Sequence, residues 1–308
     1  MSFSKIFKLS LAALGAATIS ATHAQGQTQN PPTLTVNTIT AGRLYWIGGG
    51  GGNSGVLIGR DGVVVIDAKT TPAAARAMIA EIAKLTPKPI THVIVTHSDG
   101  DHVNGLPGFP AGVKIIAHVN AKFELLAVPI YAAVEIDGGR CLPPADHLPN
   151  SLVFGSGATA VIAGERLRFH HFGPAHTNGD LVVEIPSESI AFTGDLITST
   201  VLVHPEKTGS LEGWFTNAEA LLRLPVNHYV GGHATTMDTK GSLRTRMAGY
   251  QVTRDKVDAL IGQGRTLPEI KVVMGDPPKD PSGCRGIPYP SLAWIQYHER
   301  TSRDQQIK

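Results

Sequence analysis

The stretch that most constrains this chain runs from Thr91 to Gly105, THVIVTHSDGDHVNG. Its first half, His92 to Thr96, is rich in β-branched residues, the pattern of a strand buried on both faces. Its second half delivers His97, Asp99, Asp101 and His102 within six residues. Imidazole and carboxylate are the usual ligands of zinc and other borderline divalent metals. Four such groups on one glycine-containing loop cannot all point apart, and holding them unpaired near a sheet edge is costly. A bound cation removes that cost. A solvated polar turn is the competing account, since Ser, Asp, Gly and Asn are turn formers. Two histidines and two aspartates at this spacing are more than a turn requires.

Four further marks accompany that loop: an aspartate closing an early strand, Val63-Val-Val-Ile-Asp67; a histidine in Gly173-Pro-Ala-His176-Thr-Asn-Gly-Asp; an aspartate in Phe192-Thr-Gly-Asp195; and a histidine in Gly231-Gly-His233. In this order, over roughly residues 43 to 235, the chain resembles the metallo-beta-lactamase superfamily, whose signature loop is written HxHxDH. One departure stands out: the second histidine of that pattern is Asp99 here.

The resemblance implies an αββα sandwich, two mixed β-sheets with helices on the outer faces. It places His97, Asp99 and His176 on a first metal, and Asp101, His102 and His233 on a second, with Asp195 bridging both. Zinc is the expected metal, two per chain, with iron or manganese as alternatives. Asp101 and Asp195 are the residues assigned to catalysis, around a metal-bridging hydroxide as nucleophile. Asp67 is expected to orient a ligating imidazole rather than to bind metal.

Family beta-lactamases generally carry Cys or Ser where this chain has Asp195, whereas a bridging Asp is typical of members that open thioesters, lactones and phosphoesters. The expected activity is therefore dinuclear hydrolysis of a small ester, thioester, lactone or amide. A beta-lactamase is one alternative. An iron-dependent oxidoreductase is the other, because His97, Asp99 and His176 have the two-histidine, one-carboxylate composition of non-haem iron sites.

The 308 residues, 42% hydrophobic and 17% charged, describe an ordinary globular protein with a large core. Met1 to Ala24 reads as a secretory signal, with Lys5 and Lys8 ahead of an apolar run and small residues before a cleavage site after Ala24. Residues 25–308 are then one domain with a helical, Pro-rich tail, located in the periplasm or secreted. Cleavage takes the 27 Lys and Arg to 25, against 25 Asp and Glu. A neutral chain lacks the basic footprint for nucleic acid or an anionic membrane surface, so the expected partner is a small-molecule substrate. Oligomeric state is not legible. Cys141 and Cys284 sit in no metal-ligand spacing, and in an oxidising compartment are expected to pair as a disulfide.

Periodicity predicts strands over Leu34–Ile39, Leu44–Ile47, Gly55–Ile58 and Val63–Ile66 as a meander, then a helix from Pro72 to Leu85. A strand at Val113–Ala117 and a helix at Val119–Ala127 follow. Strands near Ala160–Ile162, Arg166–His170, Leu181–Ile185 and Ser189–Thr193, a helix from Leu211 to Leu224, a short strand at Tyr229-Val230 and a long helix from Ser242 to Gln263 repeat the plan. A short helical piece is expected around Trp294. The glycine run Gly48 to Gly52 before Asn53 lacks the Lys-Ser/Thr ending of a phosphate loop and reads as a mobile flap or hairpin near the site mouth. The irregular segment Pro129 to Pro149 reads as a lid or binding loop. His171 and His204 are candidates to face the site, while His92, His118, His170, His228 and His298 read as structural or solvated.

Overall fold

The computed structural model describes residues 32–127, 135–136, 139–140, 147–198, 203–204, 208–276 and 291–306. The chain divides into two units, Met1–Asn30 and Pro31–Lys308, and every described residue lies in the second. The signal segment, both cysteines, most of Pro129 to Pro149 and the Pro-rich stretch 277–290 lie outside the described residues.

In chain order the elements are β1 (Thr35–Thr40), β2 (Leu44–Gly48), β3 (Ser54–Ile58), β4 (Val63–Ile66), α1 (Pro72–Leu85), β5 (Ile90–Ile94), α2 (Gly100–Val103), β6 (Lys114–His118) and α3 (Val119–Ala127). They continue with β7 (Glu135–Ile136), β8 (Gly139–Arg140), β9 (Ser151–Val153), β10 (Ala158–Ile162), β11 (Glu165–His170), β12 (Val182–Ile185) and β13 (Ile190–Gly194). The last are α4 (Leu211–Arg223), β14 (His228–Gly231), β15 (Asp238–Thr239), α5 (Lys240–Gly262), α6 (Leu267–Met274) and α7 (Leu292–Gln306).

One sheet runs β1-β2-β3-β4-β5-β6-β9 and a second β10-β11-β12-β13-β14-β15, with β7 and β8 a separate hairpin pair. The expected meander is the antiparallel run β1 to β4. After it the pairings β4–β5, β5–β6 and β6–β9 are parallel, as is β13–β14 in the second sheet. Parallel neighbours need a crossover, and α1 and α4 supply two of them.

Period-two alternation explains the layering. In β4, Val63 and Val65 pack toward α1 with Met78 and Ile82, while Val64 and Ile66 face the other sheet. That inter-sheet core joins Leu44, Trp46, Leu57 and Ile94 to Leu167, Phe169, Val183, Phe192 and Val230. On the far side Val182, Ala191 and Tyr229 meet Trp214 and Leu221 of α4 and Leu243 of α5. Helix, sheet, sheet, helix is thus the order of layers, as the resemblance implied.

α1 starts and stops where its caps dictate. Thr71 Oγ1 accepts the N–H of Ala74, Pro72 occupies the first turn, and the non-helical Thr86 ends it. Besides short strands and the one-turn α2, two C-terminal helices exceed the reading from periodicity. α6 was not anticipated, because its eight residues carry a short apolar pattern; its cap is a Thr266–Glu269 box, with Gly275 closing it in the left-handed region. α7 extends over 15 residues rather than a short piece.

Candidate metal centre

The site stands where strands end. Asp67 follows β4, Thr96 and His97 follow β5, Asp195 follows β13, and Gly232 and His233 follow β14, so the C-terminal edges of both sheets converge there. Open α/β sheets place ligands at that edge because loops leaving parallel strands diverge and leave a crevice.

The orientation of each imidazole traces back to the sequence. Asp67 holds a left-handed backbone, φ +65°, which turns its carboxylate back under the loop. Its Oδ1 accepts the N–H of Thr96 at 2.8 Å, and its Oδ2 accepts from Thr96 Oγ1 at 2.7 Å and from His102 Nδ1 at 2.8 Å. Thr96 Oγ1, having spent its hydrogen on Asp67, accepts in turn from His97 Nδ1 at 2.9 Å. Both rings therefore donate through Nδ1 and aim Nε2 into the cavity, the orientation a metal ligand needs. Asp67 thus makes the contact to an imidazole that the sequence reading expected of it.

Two clusters result. Oδ2 of Asp99 lies 3.1 Å from His176 Nε2 and 3.8 Å from His97 Nε2. Oδ2 of Asp101 lies 3.1 Å from His233 Nε2 and 3.6 Å from His102 Nε2. Asp195 stands between them: its Oδ2 is 3.1 Å from His233, 3.8 Å from His176 and 4.0 Å from His97, and its Oδ1 is 3.3 Å from His102. All seven residues expected to bind metal are thus brought together. Three overlapping groups, His97-His102-Asp195, His97-Asp99-His176 and Asp101-His102-His233, hold ligand atoms close enough for one ion each.

Metal fits this pocket on the structure's own terms. His97 Nε2, His102 Nε2 and Asp195 Oδ1 are buried without a hydrogen bond, an expensive state unless a cation completes it. The surroundings also pull protons apart. Burial, reinforced by His102 and His176, holds the His97 pKa well below its ordinary value. His102 is buried too, yet Asp101, Asp67 and Asp195 overcome that desolvation and raise its pKa well above 6.5. His233 is pushed up to about 10, first by its bond to Asp101 and then by Asp195. Burial acts to raise the Asp195 pKa, but His102 and His233 outweigh it and hold the carboxylate well below 3.8. A cavity whose carboxylates raise the pKa of two imidazoles is one that favours positive charge.

Several contributors escaped the sequence reading. Lys69 is fully buried, and its Nζ donates to the carbonyls of Ile47 at 2.6 Å and Gly52 at 2.8 Å. Desolvation lowers its pKa to about 7, against the pull of Asp67 and Asp101. Asn53 Nδ2 donates to Gly231 and Ala234 carbonyls, tying the glycine run to the His233 turn. The run does lie at the site mouth and is the connection of the β2–β3 hairpin, one of the two forms expected, anchored rather than a free flap. Gly52 N–H donates to Asp101 O, and a Cβ on Gly52 would come within 2.3 Å of the His102 ring. Gly51, at φ +114°, would meet Thr70 Oγ1 at 2.3 Å. Side chains are excluded here because this backbone lies against the metal loop. A cleft of about 360 Å³ opens beside it, lined by Trp46, Asn53, Gly232 and His233 among others.

The remaining histidines sort by contact. His204 reaches the site, with Nε2 3.0 Å from Asp99 Oδ2. His171 does not join the cluster; it bonds Asp180 O and stacks on His118 at 3.8 Å. His170 pairs with Glu184 at 2.7 Å. Asp180 accepts from the N–H and hydroxyl of Thr177, which shapes the loop presenting His176. Trp214 is core, its Nε1 donating to Leu196 O.

Comparison with known proteins agrees with this geometry. Residues 47–233 match the family model described as the metallo-beta-lactamase superfamily. The chain is 26% identical over 205 residues to 2,4-dinitroanisole O-demethylase subunit alpha from Nocardioides sp. (strain JS1661), covering 66% of this chain and 58% of that one. Among solved structures, a double mutant of a sec-alkyl sulfatase aligns with a TM-score of 0.67 at 18% identity, covering 88% of this chain and 50% of the other. The stereoselective inverting sec-alkylsulfatase from Pseudomonas sp. gives 0.61 at 19%, over 82% and 48%. A metallo-beta-lactamase from Pontibacter korlensis gives 0.58 at 16%, covering 70% of this chain and 98% of its own. The chain spans little more than half the length of its curated relative and about half that of the sulfatases.

Proposed function

Because this chain belongs to the metallo-beta-lactamase superfamily, we propose that it is a metal-dependent hydrolase of small molecules whose two metals share the carboxylate of Asp195. The observation that carries this is the position of Asp195, buried, with one oxygen toward His102 and the other toward His97, His176 and His233. In this reading His97, Asp99 and His176 hold one metal, and Asp101, His102 and His233 the other. Metals so held would supply an activated water and a Lewis acid for the substrate's electrophilic atom. The protein's own groups do the rest. Asp67 and Thr96 fix two imidazoles, and the partly exposed carboxylate of Asp101 is the group assigned to proton transfer. Gly51 and Trp46 bound the cleft a substrate would enter. A small ester, thioester, lactone or amide fits that chemistry, and the Met1–Ala24 pattern supports action after export.

A second reading, an iron-dependent oxidoreductase, is favoured by Asp99 together with the O-demethylase relative. A carboxylate among the first-position donors tilts preference toward harder metals such as iron or manganese, and that relative is an O-demethylase subunit. The test is metal analysis of protein purified without added metal, followed by anaerobic and aerobic assay on ester, thioester, lactone, beta-lactam and 2,4-dinitroanisole panels. Two metals per chain with oxygen-independent bond cleavage supports the hydrolase. Iron with turnover that needs oxygen or an electron acceptor supports the second reading and sinks the first.

A further inference from the structure

We propose that His204 is a ligand of the first metal position, so that three imidazoles, His97, His176 and His204, share it with Asp99; this rests on the dinuclear reading above. Substitution of Asp99 for the histidine of the signature loop removes one imidazole from that position. The structure brings another in from a distant part of the chain.

Three Nε2 atoms converge on one oxygen. Asp99 Oδ2 lies 3.0 Å from His204, 3.1 Å from His176 and 3.8 Å from His97. Donor atoms each about 2.1 Å from a common ion stand about 3.0 to 3.4 Å apart at octahedral to tetrahedral angles, and the His204 separation falls in that range. The ring arrangement also repeats. His97 and His176 meet edge-on with centroids 4.7 Å apart, and His176 and His204 do so at 4.9 Å. His204 is 7% exposed, buried like the other first-position donors.

Backbone contacts set this placement. The N–H of His204 donates to His176 O at 2.8 Å, and its own carbonyl accepts from Gly209 at 2.9 Å. A Cβ on Gly209 would fall 2.3 Å from His176 O and 2.9 Å from His204 N, so a glycine is required for the segment to lie this close. Val203 is buried in the apolar core beside Trp214, which anchors the preceding residue. His204 and Gly209 are therefore held against His176, and the two imidazoles share a target.

The consequence is an asymmetric centre. The first position draws four protein donors besides Asp195 and the second draws three. The second is also the more open: the side chains of His233 and Asp101 are 39% and 31% exposed. Substrate then meets the second position, while the first is held by the protein.

The experiment compares wild type with His204→Ala and His204→Gln, each confirmed as folded by circular dichroism. Chelator competition measures the two zinc affinities, and X-ray absorption on cobalt-loaded protein counts histidines per metal. The expected result is one site weakened about tenfold or more with the other unchanged, a lower histidine count, and recovery of the lost affinity in His204→Ala on adding free imidazole. Unchanged affinities and histidine count overturn the assignment. So does a loss of affinity with an unchanged histidine count, which would make His204 a holder of Asp99 rather than a ligand. Wild-type protein that takes up no metal overturns the proposed function itself, and this assignment with it.

Discussion

Oδ2 of Asp67 lies 2.8 Å from Nδ1 of His102, both side chains are buried, and the same carboxylate reaches His97 through the hydroxyl of Thr96. One residue outside the proposed ligand set thereby orients two within it. Asp67→Asn, whose side chain tolerates the left-handed backbone, should fold and bind metal about 10- to 100-fold more weakly, the usual cost of losing such a contact. Asp195→Ala should lose more, because Asp195 faces both clusters. Metal titration of the two variants decides it, and equal losses would contradict this division of roles.

Metal uptake should release protons. With His233 pushed up to about 10, first by its bond to Asp101 and then by Asp195, its imidazole carries a proton at neutral pH until a cation displaces it. Apparent affinity should fall as pH drops, by about tenfold per pH unit for each proton displaced. Calorimetry in buffers of different ionisation enthalpy counts those protons. His233→Ala should release about one fewer than wild type at pH 7, and an unchanged count would refute the role given to His233.

Lys69 gives a stability test with a definite sign. Its folded pKa of about 7 lies below the ordinary 10.5, so between those values the unfolded chain binds one more proton than the folded one. Stability contributed by this group therefore rises with pH through that window and is flat below it. The interval sets an upper bound of roughly 5 kcal/mol at 1.36 kcal/mol per pH unit. Thermal melts from pH 6 to 10 should show wild type gaining stability relative to Lys69→Met. At pH 9 the variant should be about 2 to 4 kcal/mol less stable, because the Ile47 and Gly52 carbonyls lose their donor. Parallel curves for the two proteins would show that Lys69 keeps its proton.

How much of this was legible in the sequence depends on the range of each signal. β4, α1 and the His97–His102 loop announce themselves locally, through β-branched runs, a Thr-Pro helix start and dense metal-ligand chemistry, and the structure places them there. Asp67 was readable because it closes a strand in a known order of marks. Lys69 and Asn53 were not, since a lone lysine or asparagine has no periodicity and their partners are backbone carbonyls. His204 was a bare candidate for the same reason: its approach to Asp99 depends on where Gly209 lets the chain pass. The glycine run forms the expected hairpin but not a mobile flap, because freedom of a residue in isolation says nothing about a backbone wedged against His102.

Asp99 remains the residue on which the chemistry turns. With Asp99, Asp101, Asp195 and a hydroxide, two divalent cations would be close to neutralised, which weakens their hold on hydroxide. Asp99→His removes one of those negative charges. The acidic limb of the rate profile should therefore move to lower pH, and preference should shift toward zinc over manganese or iron, since imidazole is the softer donor. The structure adds a steric condition: Asp99 Oδ2 already stands about 3 Å from both His176 and His204, so a fourth ring needs one of the others to yield. Asp99→His together with His204→Ala relieves that crowding and should show the same shift more cleanly. The measurement is a pH profile and a metal competition on both variants, with folding confirmed. An acidic limb and a metal preference unmoved in the folded double variant would show that the charge of Asp99 does not reach the reacting water.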